Sequence, residues 1–321
     1  MATLDFSQPL FALAPLAGFT DLPFRSVVKK FGADLTVSEM ISSNALAFKS
    51  KKTFKMLEKN ELETPYSIQI AGSDVAIIRR AVELLNERDG IDIIDLNCGC
   101  PAPKVVNNLQ GSSLLTDLPQ MAKTIRTIKE YSNKEYTSVK MRLGFNEKNH
   151  VEQAKLCEDS GADFIAIHGR TRAGRYKAPV DYDAIREVVE AVNIPVLANG
   201  DIDSPEKAKW VLEHTGASGV MVGRGAVGRP WIFQLMKNHI NNVGSSEVTS
   251  ALVQELVLEH FDQMVEHYGD HGAIIFRKHL HTYSKAGYQG ASKFRDLVNR
   301  VEEVSEMREV TREFFGQEYL I

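Results

Sequence analysis

The segment Ile91-Asp92-Ile93-Ile94-Asp95-Leu96-Asn97-Cys98-Gly99-Cys100-Pro101 combines a mostly apolar run with a polar end. Its first part, Ile91–Leu96, has the β-branched and apolar composition of a parallel strand that is covered on both faces. The residues that follow are polar or turn-forming, so the chain is expected to leave the sheet there. This order predicts a buried strand that brings polar side chains to one edge of a sheet.

Short runs of the same kind recur along most of the chain, with helical spacing of apolar residues between them. The predicted strands are Leu10–Ala14, Leu35–Ser38, Tyr66–Ile70, Ile91–Leu96, Ser138–Met141, Phe164–Ile167, Val196–Ala198 and Gly219–Val222. The clearest helical patterns are Val75–Arg88, Met121–Tyr131, Val151–Ser160, Asp183–Val192 and Pro205–His214. A strand followed by a helix, repeated eight times, predicts an α/β fold, the (β/α)8 TIM barrel, over residues 1–242.

The pattern changes after residue 242. Val243-Gly244-Ser245-Ser246 is predicted to be a linker, and helical periodicity without a convincing strand follows. Helical segments at Glu255–Tyr268, Ile274–Lys285 and Lys293–Phe315 predict a small all-helical C-terminal domain, residues 243–321. This region is acidic as a whole, but it contains a concentration of basic residues, namely Arg277, Lys278, Lys285, Lys293, Arg295 and Arg300. A basic stripe and an ordinary solvated helix face are both compatible with them.

The composition is that of an ordinary globular protein. The 321 residues include 38 Lys and Arg against 42 Asp and Glu, a net charge of −4, which argues mildly against nonspecific nucleic-acid binding but leaves room for a local basic patch. The apolar runs are shorter than the ~20 residues of a membrane helix, and no basic-then-apolar leader is visible. Three cysteines cannot all pair with one another. We therefore expect a cytoplasmic protein with no membrane partner. A monomer is expected as well, but these observations leave the oligomeric state open.

Polar residues follow nearly every predicted strand, at the end where a TIM barrel carries its active site. A single such residue is commonly structural, but together they indicate a site. Asn199-Gly200-Asp201 and Gly223-Arg224, after the last two strands, suit a phosphate, because glycines expose backbone N–H groups and arginine binds phosphate through two nitrogens. The sequence Gly223-Arg224-Gly225-Ala226-Val227-Gly228 also fits G-x-G-x-x-G. It follows the eighth strand rather than opening an early βαβ unit, which excludes a dinucleotide-binding fold.

The other strand ends suit a flavin ring. Lys140 can place a positive charge where negative charge collects when a flavin is reduced, and Gln69 can bond to the same ring. Pro15-Leu16-Ala17 can lie flat against it. For Lys140, the alternative is a structural salt bridge in the mouth of the barrel, since a buried lysine needs a partner or a task.

Cys100 is the candidate reactive residue. It lies after a strand, between Gly99 and Pro101, whereas Cys157 lies in a helical pattern typical of a buried structural cysteine. A cysteine thiol is mostly protonated near neutral pH, so it can donate a proton to a carbanion-like centre without special activation. Cys98 is two residues away, and one of the two is expected to point into the barrel and the other outward. No second pair of cysteines completes a metal site, so no metal is predicted.

These motifs resemble those of the tRNA-dihydrouridine synthases, and most closely the bacterial B-type subfamily. The resemblance spans the whole chain and is carried by Ala14-Pro15-Leu16-Ala17-Gly18, Pro23-Phe24-Arg25, Ser38-Glu39-Met40, Gln69-Ile70-Ala71-Gly72, Asp95-Leu96-Asn97-Cys98-Gly99-Cys100-Pro101, Lys140-Met141-Arg142, His168-Gly169-Arg170-Thr171-Arg172, Asn199-Gly200-Asp201-Ile202, Gly223-Arg224 and Arg277-Lys278-His279. The Asn-x-Gly-Cys-Pro and His-Gly-Arg-Thr segments are its most specific parts. Cys98 departs from the family pattern, which has Leu or Met there.

The resemblance implies an FMN-dependent enzyme that reduces uridine in tRNA to dihydrouridine, with NADPH (or NADH) as reductant and Cys100 as the donor of the C5 proton. Carried over by position, the implied FMN contacts are Pro15, Leu16, Ala17, Gln69, Lys140, His168, Asn199, Gly200, Asp201, Gly223 and Arg224. The implied substrate contacts are Asn97 and Arg142 near the uracil, with Lys104, Arg170, Arg172, Arg277 and Lys278 facing the tRNA. The helical domain is the implied tRNA-binding domain.

Two alternatives remain at the level of sequence. An FMN barrel acting on a free pyrimidine such as dihydroorotate would share the flavin site but would have no use for the helical domain. A tRNA-binding or folding factor with a vestigial flavin site is the other. The presence of Lys140, Cys100 and the phosphate loop argues against it, because a decayed site is expected to lose some of these residues.

Overall fold

A computed structural model describes residues 3–244, 247–285 and 288–318, so Ser245 and Ser246 of the predicted linker lie outside the described residues. Its parallel strands close into a barrel in the order β2, β1, β9, β8, β7, β6, β5, β4, with a β2–β4 pairing that completes the circle. Within the described part of the chain the strands are β1 (Leu10–Leu13), β2 (Leu35–Val37), β3 (Ile41–Ser42), β4 (Tyr66–Ala71), β5 (Ile93–Cys98), β6 (Tyr136–Arg142), β7 (Phe164–His168), β8 (Val196–Asn199) and β9 (Gly219–Val222).

The eight predicted strands are therefore confirmed, and so is the TIM barrel. The additional strand β3 lies beside β4 and is only two residues long, which is too short for a recognisable pattern in the sequence. Predicted strand ends are correct to within about two residues, since β5 begins at Ile93 rather than Ile91 and continues to Cys98.

Helices surround the barrel and fill the C-terminal region. They are α1 (Leu22–Lys30), α2 (Ser43–Ala47), α3 (Lys51–Lys55), α4 (Val75–Asn86), α5 (Pro103–Val106), α6 (Leu118–Tyr131), α7 (His150–Asp159), α8 (Tyr182–Ala191), α9 (Pro205–Thr215), α10 (Ile232–Ile240), α11 (Ser250–Tyr268), α12 (His271–Tyr283), α13 (Ala291–Val298) and α14 (Val304–Phe315). A 3₁₀ helix spans Gly111–Thr116. In the described residues no helix is both long and apolar enough to span a bilayer.

The predicted continuous helix Lys293–Phe315 is wrong, because the chain forms α13 and α14 with a break between them. The break turns Val301 into the core of the helical domain, where it is buried. Its carbonyl accepts a hydrogen bond of 2.6 Å from Arg277 Nη2 rather than one from a following helical turn. A tertiary contact therefore replaces the helical bond, and the apolar periodicity on either side does not reveal it.

The interior of the barrel has two layers. Its lower layer is apolar and includes Leu10, Leu35, Ile93, Phe164 and Leu197, with Phe6 packed against it. Because side chains alternate along a strand, Asp95 and Asn97 point to the same side of β5 as Ile93. They form part of an upper polar layer, whereas Leu96 and Cys98 face the surrounding helices. The barrel thus provides an apolar floor beneath a polar mouth.

The helical domain packs against α1 of the barrel. Val27 of α1 and Trp231 before α10 belong to the same apolar cluster as Phe261, Phe276 and other residues of α11–α14. Polar contacts cross the same interface, since Tyr268 donates a hydrogen bond of 3.1 Å to Asp21 Oδ2 and Lys30 pairs with Glu259. This interface brings the first turn of α1, just after β1, into contact with the helical domain.

A buried ion pair anchors α1 to the barrel. Arg25 is 2% exposed and Glu63 is 0% exposed, and Arg25 Nε lies 2.7 Å from Glu63 Oε1. Arg25 also donates hydrogen bonds to the carbonyls of Thr20 and Glu58. Glu63 Oε1 accepts a further bond from Thr36 Oγ1 of β2. Helix α1, strand β2 and the segment before β4 are therefore held together by one ion pair and the hydrogen bonds around it.

We expect Arg25→Met to lower the free energy of unfolding by about 3–5 kcal/mol, because it leaves the Glu63 carboxylate buried without its partner. Urea unfolding followed by circular dichroism measures this loss. The matched control is Arg79→Met, which removes an exposed pair with Glu83 and is expected to cost less than about 1 kcal/mol. Equal losses in the two variants would contradict the structural role assigned to the buried pair.

Candidate functional site

The register of the barrel brings the predicted polar residues together at its C-terminal mouth. Asn97 is paired with Lys140 between β5 and β6. Arg142 is paired with His168, and His168 with Asn199, across β6, β7 and β8. Side chains at paired positions of parallel strands lie on the same face of the sheet, so one half of the mouth is lined by amide, amine and imidazole groups.

The loop that carries Cys100 is held through its backbone. Asn97 Oδ1 accepts hydrogen bonds from the N–H of Gly99, at 3.1 Å, and from the N–H of Cys100, at 2.9 Å. Arg142 Nε donates to the Gly99 carbonyl at 2.8 Å, and Ser112 Oγ donates to the Cys100 carbonyl at 2.9 Å. Cys100 is partly exposed, whereas Cys98 is buried against the helices. Cys98 therefore faces the helices, and an inward direction for Cys100 stays a prediction.

Gly111 is required beside this loop. Its φ is +62°, a left-handed conformation that suits glycine. A Cβ at this position would lie 2.9 Å from the Cys100 carbonyl oxygen and 3.1 Å from the Cys100 Cβ. The backbone of residue 111 therefore packs directly against the candidate reactive residue, in a place where a side chain would displace it.

Gln69 and Asp95 extend the polar layer below the mouth. Gln69 Nε2 donates to Asp95 Oδ2 at 2.7 Å, and Asn97 Nδ2 donates to Gln69 Oε1 at 2.7 Å. Burial raises the pKa of Asp95 to about 6, while hydrogen bonds from Ser138 and Gln69 and the charge of Lys140 act in the opposite direction. Gln69 is buried, and each of its amide atoms can make one further hydrogen bond.

Lys140 lies in the centre of the site. Its Nζ donates to Asn199 Oδ1 at 3.1 Å, and Asn199 Nδ2 is held by the Met221 carbonyl at 2.6 Å. Burial and the neighbouring charge of Arg142 lower the pKa of Lys140 to about 8. Its hydrogen-bond partner is thus an amide and not the carboxylate of a salt bridge, so the cation remains available to a ligand.

The predicted phosphate loop contains a carboxylate between two guanidinium groups. Asp201 accepts hydrogen bonds from Arg170 at 3.1 Å and from Arg224 at 2.7 Å. Arg170 is only 5% exposed, whereas the Arg224 side chain is 59% exposed. Burial and the nearby charges of Lys140, Arg142, Arg170 and Arg224 lower the pKa of His168 to about 2, so its imidazole is neutral. The chain after Gly223 forms turns, and the next helix, α10, begins at Ile232.

The sequence reasoning missed Tyr176, an exposed residue of the loop after β7. The guanidinium carbons of Arg142 and Arg224 lie 5.6 Å and 4.8 Å from the centre of its ring, which makes cation–π contacts with both. Its ring centre is 6.4 Å from that of His168. The sequence does contain a signal for this residue, because Tyr176 is an aromatic residue in a segment that also holds Arg170, Arg172 and Arg175.

The remaining predicted site residues lie at the rim. Pro15 and Leu16 are partly exposed and Ala17 is exposed, directly after β1. Lys104 is exposed on α5, and Arg172 is partly exposed with its guanidinium 4.7 Å from the Phe145 ring centre. Arg142 is buried and also donates to the carbonyls of Thr171 and Arg175.

Arg277 and Lys278 lie on α12 of the helical domain and have different surroundings. Arg277 is partly buried and engaged with Val301, as described above. Lys278 Nζ lies 5.5 Å from the Phe19 ring centre, and it would be 3.9 Å from a Cβ on Gly18. Lys278 therefore reaches from the helical domain to the loop that follows β1, at the rim of the mouth.

One group of possible metal ligands occurs among the described residues, away from the barrel mouth. Ligand atoms of Asp21, His260 and His279 lie within 4.8 Å of one another in the domain interface. Burial lowers the pKa of His260 to about 3 and that of His279 well below its ordinary value, so both imidazoles are neutral. Asp21 caps α1 and accepts the Tyr268 hydroxyl. The absence of a metal remains a prediction.

The residues of the mouth fit a flavin with a phosphate group. Pro15 and Leu16 offer an apolar surface, Lys140 a cation, and Gln69 and Asn199 amides. A Cβ on Gly223 would reach Ala14 and Leu16 at 3.6–3.7 Å, so the absence of a side chain leaves space beside this apolar surface. Arg224 supplies an exposed cation at the neighbouring turn.

Comparison with known proteins relates almost the whole chain to one family. The family model described as "Dihydrouridine synthase (Dus)" matches residues 12–319. A "Probable tRNA-dihydrouridine synthase" of Helicobacter pylori (strain J99 / ATCC 700824) is 50% identical over 99% of this chain and 95% of its own. The "tRNA-dihydrouridine synthase B" of Vibrio parahaemolyticus is 42% identical over 90% of each chain. Among solved structures, a FabK mutant from Thermotoga maritima is 17% identical with a TM-score of 0.46, covering 70% of this chain and 63% of that chain. The chain belongs to the dihydrouridine synthase family.

Proposed function

We propose that this protein is an FMN-dependent tRNA-dihydrouridine synthase that reduces the C5–C6 double bond of uridines in tRNA, with NADPH (or NADH) as reductant. The observation that carries this proposal is the position of Cys100, in a loop fixed at the barrel mouth by Asn97 and Arg142 and within reach of the charge of Lys140. The names of the relatives, tRNA-dihydrouridine synthase and tRNA-dihydrouridine synthase B, support the choice of reaction and substrate.

The chemistry that FMN supplies when bound is hydride for uracil C6, derived from NADPH. Its ring would be held by the apolar residues after β1 and by the amide and amine groups of β4, β6 and β8, and its phosphate by the turns after β8 and β9. The full set of residues is Pro15, Leu16, Ala17, Gln69, Lys140, His168, Asn199, Gly200, Asp201, Gly223 and Arg224. Asp201 would contact FMN through its backbone, since its carboxylate is occupied by Arg170 and Arg224.

The residues of the chain then complete the reduction. Cys100 holds a proton on Sγ and delivers it to uracil C5, while Asn97 and Arg142 border the place where the base lies. The cation of Lys140 would lie beside the ring and stabilise the negative charge that a reduced flavin carries. Arg170, being buried against Asp201, orders the loop rather than meeting the tRNA directly.

Residues 243–321 are proposed to form the tRNA-binding domain, and residues 1–242 the catalytic barrel. A uridine inside a folded tRNA must be unstacked before it can enter the mouth, so contacts are needed beyond the base itself. Lys278 lies at the rim beside the loop after β1, and Lys104 and Arg172 lie on the barrel side of the mouth. The protein is proposed to act as a monomer in the cytoplasm.

We expect the purified protein, with FMN and NADPH, to form dihydrouridine in tRNA that lacks this nucleoside, because Cys100, Arg142 and Lys140 lie at the same end of the barrel. Nucleoside mass spectrometry measures the product, and reverse transcription or fragment mapping locates it. Incubation without NADPH is the control. A flavin-loaded protein that leaves tRNA unchanged but reduces a free pyrimidine would contradict the proposal and favour a small-molecule reductase.

We expect Lys293→Glu combined with Arg300→Glu, two exposed positions in and after α13, to weaken tRNA binding. The slope of log K against log salt concentration should fall in magnitude by about 2, since each phosphate contact contributes roughly one released counterion. Filter binding at several salt concentrations measures both quantities.

The matched control is Arg126→Glu combined with Lys155→Glu, exposed positions on the barrel helices α6 and α7 that change the net charge by the same amount. A loss of affinity that is equal in the two double variants would mean that net charge alone matters. Unchanged binding in the α13 variant would exclude this surface as the tRNA contact.

A further inference from the structure

A continuous chain of hydrogen bonds runs through the polar layer from Ser138 to the loop of Cys100. Ser138 Oγ donates to Asp95 Oδ1 at 2.6 Å, and the Asp95 Oδ2 atom accepts from Gln69 Nε2 at 2.7 Å. Gln69 Oε1 accepts from Asn97 Nδ2 at 2.7 Å. Asn97 Oδ1 then accepts the backbone N–H groups of residues 99 and 100. Asp95, Gln69 and Asn97 are all buried.

The direction of this chain is determined at both ends. Backbone N–H groups only donate, so the atom of Asn97 that faces Gly99 and Cys100 must be its oxygen. An ionised carboxylate only accepts, so the atom of Gln69 that faces Asp95 must be its nitrogen. Between these ends, the Asn97 nitrogen meets the Gln69 oxygen, which is the only arrangement that pairs a donor with an acceptor at every step.

We propose that Asp95 is a positioning residue that fixes the orientation of the Cys100 loop through the side-chain amides of Gln69 and Asn97. The inference rests on the proposed function for its catalytic consequence, because Cys100 is there the proton donor. It assigns to Asp95 a task besides stabilising the barrel: the carboxylate holds the Gln69 nitrogen, which keeps the Gln69 oxygen on Asn97 Nδ2 and supports the orientation set at the loop.

Loss of the carboxylate would leave only the backbone N–H groups of Gly99 and Cys100 to oppose a turned arrangement of the two amides. If the Gln69 amide turned over, its nitrogen would face the nitrogen of Asn97, and the Asn97 amide would have to turn as well. Its nitrogen would then face the N–H groups of Gly99 and Cys100, and both hydrogen bonds would be lost. Buried donors without acceptors are costly, so the loop would move away to reach water. Ser112 and Arg142 hold only the carbonyls of Cys100 and Gly99 and do not replace these bonds.

The test uses the rate at which iodoacetamide alkylates Cys100 in the protein without cofactor or tRNA. Peptide mass spectrometry assigns the modified residue, and Cys98 and Cys157 are buried. We expect Asp95→Leu to increase the rate about tenfold, the factor that corresponds to one lost hydrogen bond. Asp95→Asn is expected to stay within about twofold of the wild type. Its oxygen can still accept from Gln69 while its nitrogen donates to the Ser138 hydroxyl, which restores the direction of the chain without the charge.

The matched control is Ser138→Ala, which removes the other hydrogen bond of Asp95 and leaves the contact with Gln69 in place. It is expected to leave the alkylation rate within about twofold of the wild type. An equal increase in Ser138→Ala and Asp95→Leu would show that the effect is general loosening of the barrel, and would overturn the proposal. An unchanged rate in Asp95→Leu would overturn it as well.

If Asp95→Leu does not fold, Gln69→Met breaks the same chain one step nearer the loop and provides the decision. It should raise the alkylation rate as Asp95→Leu would, and a wild-type rate would exclude the chain. With tRNA, Asp95→Leu should lower kcat for dihydrouridine formation about tenfold with KM for tRNA changed by less than about threefold. The alkylation comparison needs no turnover, so it remains decisive even if the wild-type protein forms no dihydrouridine.

Discussion

The arrangement of the site depends on the register of parallel strands in a closed barrel. Gln69 is paired with Asp95, Asp95 with Ser138, and Asn97 with Lys140, so each side chain of the polar layer meets a partner on the adjacent strand. Because side chains alternate along a strand, a slip of one residue in β5 would turn Asn97 toward the helices and bring Cys98 into the barrel. The apolar layer below supports this register, and the Arg25–Glu63 pair ties α1 to β2 and to the segment before β4.

Charge at the mouth is balanced within the chain. Burial and the charges of Lys140, Arg142, Arg170 and Arg224 lower the pKa of His168, and the mutual repulsion of these cations would oppose folding if no anion were present. Asp201 supplies that anion by accepting from both Arg170 and Arg224. Arg224 remains exposed and Lys140 binds a neutral amide, so cationic groups are still available to a phosphate and a ring. Buried arginines at the mouth bind carbonyls and Asp201 and so order loops, whereas exposed basic residues can bind a nucleic acid.

Much of the fold could be predicted because each barrel strand has a local signal, a short apolar run that ends in polar residues. Strand β3 is only two residues long and has no such signal. At the break between α13 and α14, the Val301 carbonyl is bound by Arg277, a residue distant in sequence. The mouth of the barrel was predicted for the same reason as the strands. The burial of Arg170 and the contacts of Tyr176 were not, because they depend on how the loop after β7 folds back on Asp201 and Arg224. Motifs name the residues of a site, but tertiary packing decides which of them reach solvent.

The most direct test of this account compares Cys98→Ala and Cys100→Ala for dihydrouridine formation in tRNA that lacks it. The two thiols are two residues apart, but Cys98 is packed against the helices and Cys100 lies in the loop at the mouth. Nucleoside mass spectrometry should find nearly wild-type product with Cys98→Ala and a loss of about a hundredfold or more with Cys100→Ala, as expected when a positioned proton donor is removed. Equal product from Cys100→Ala and the wild type would contradict the role given to this cysteine and the account of the site built around it.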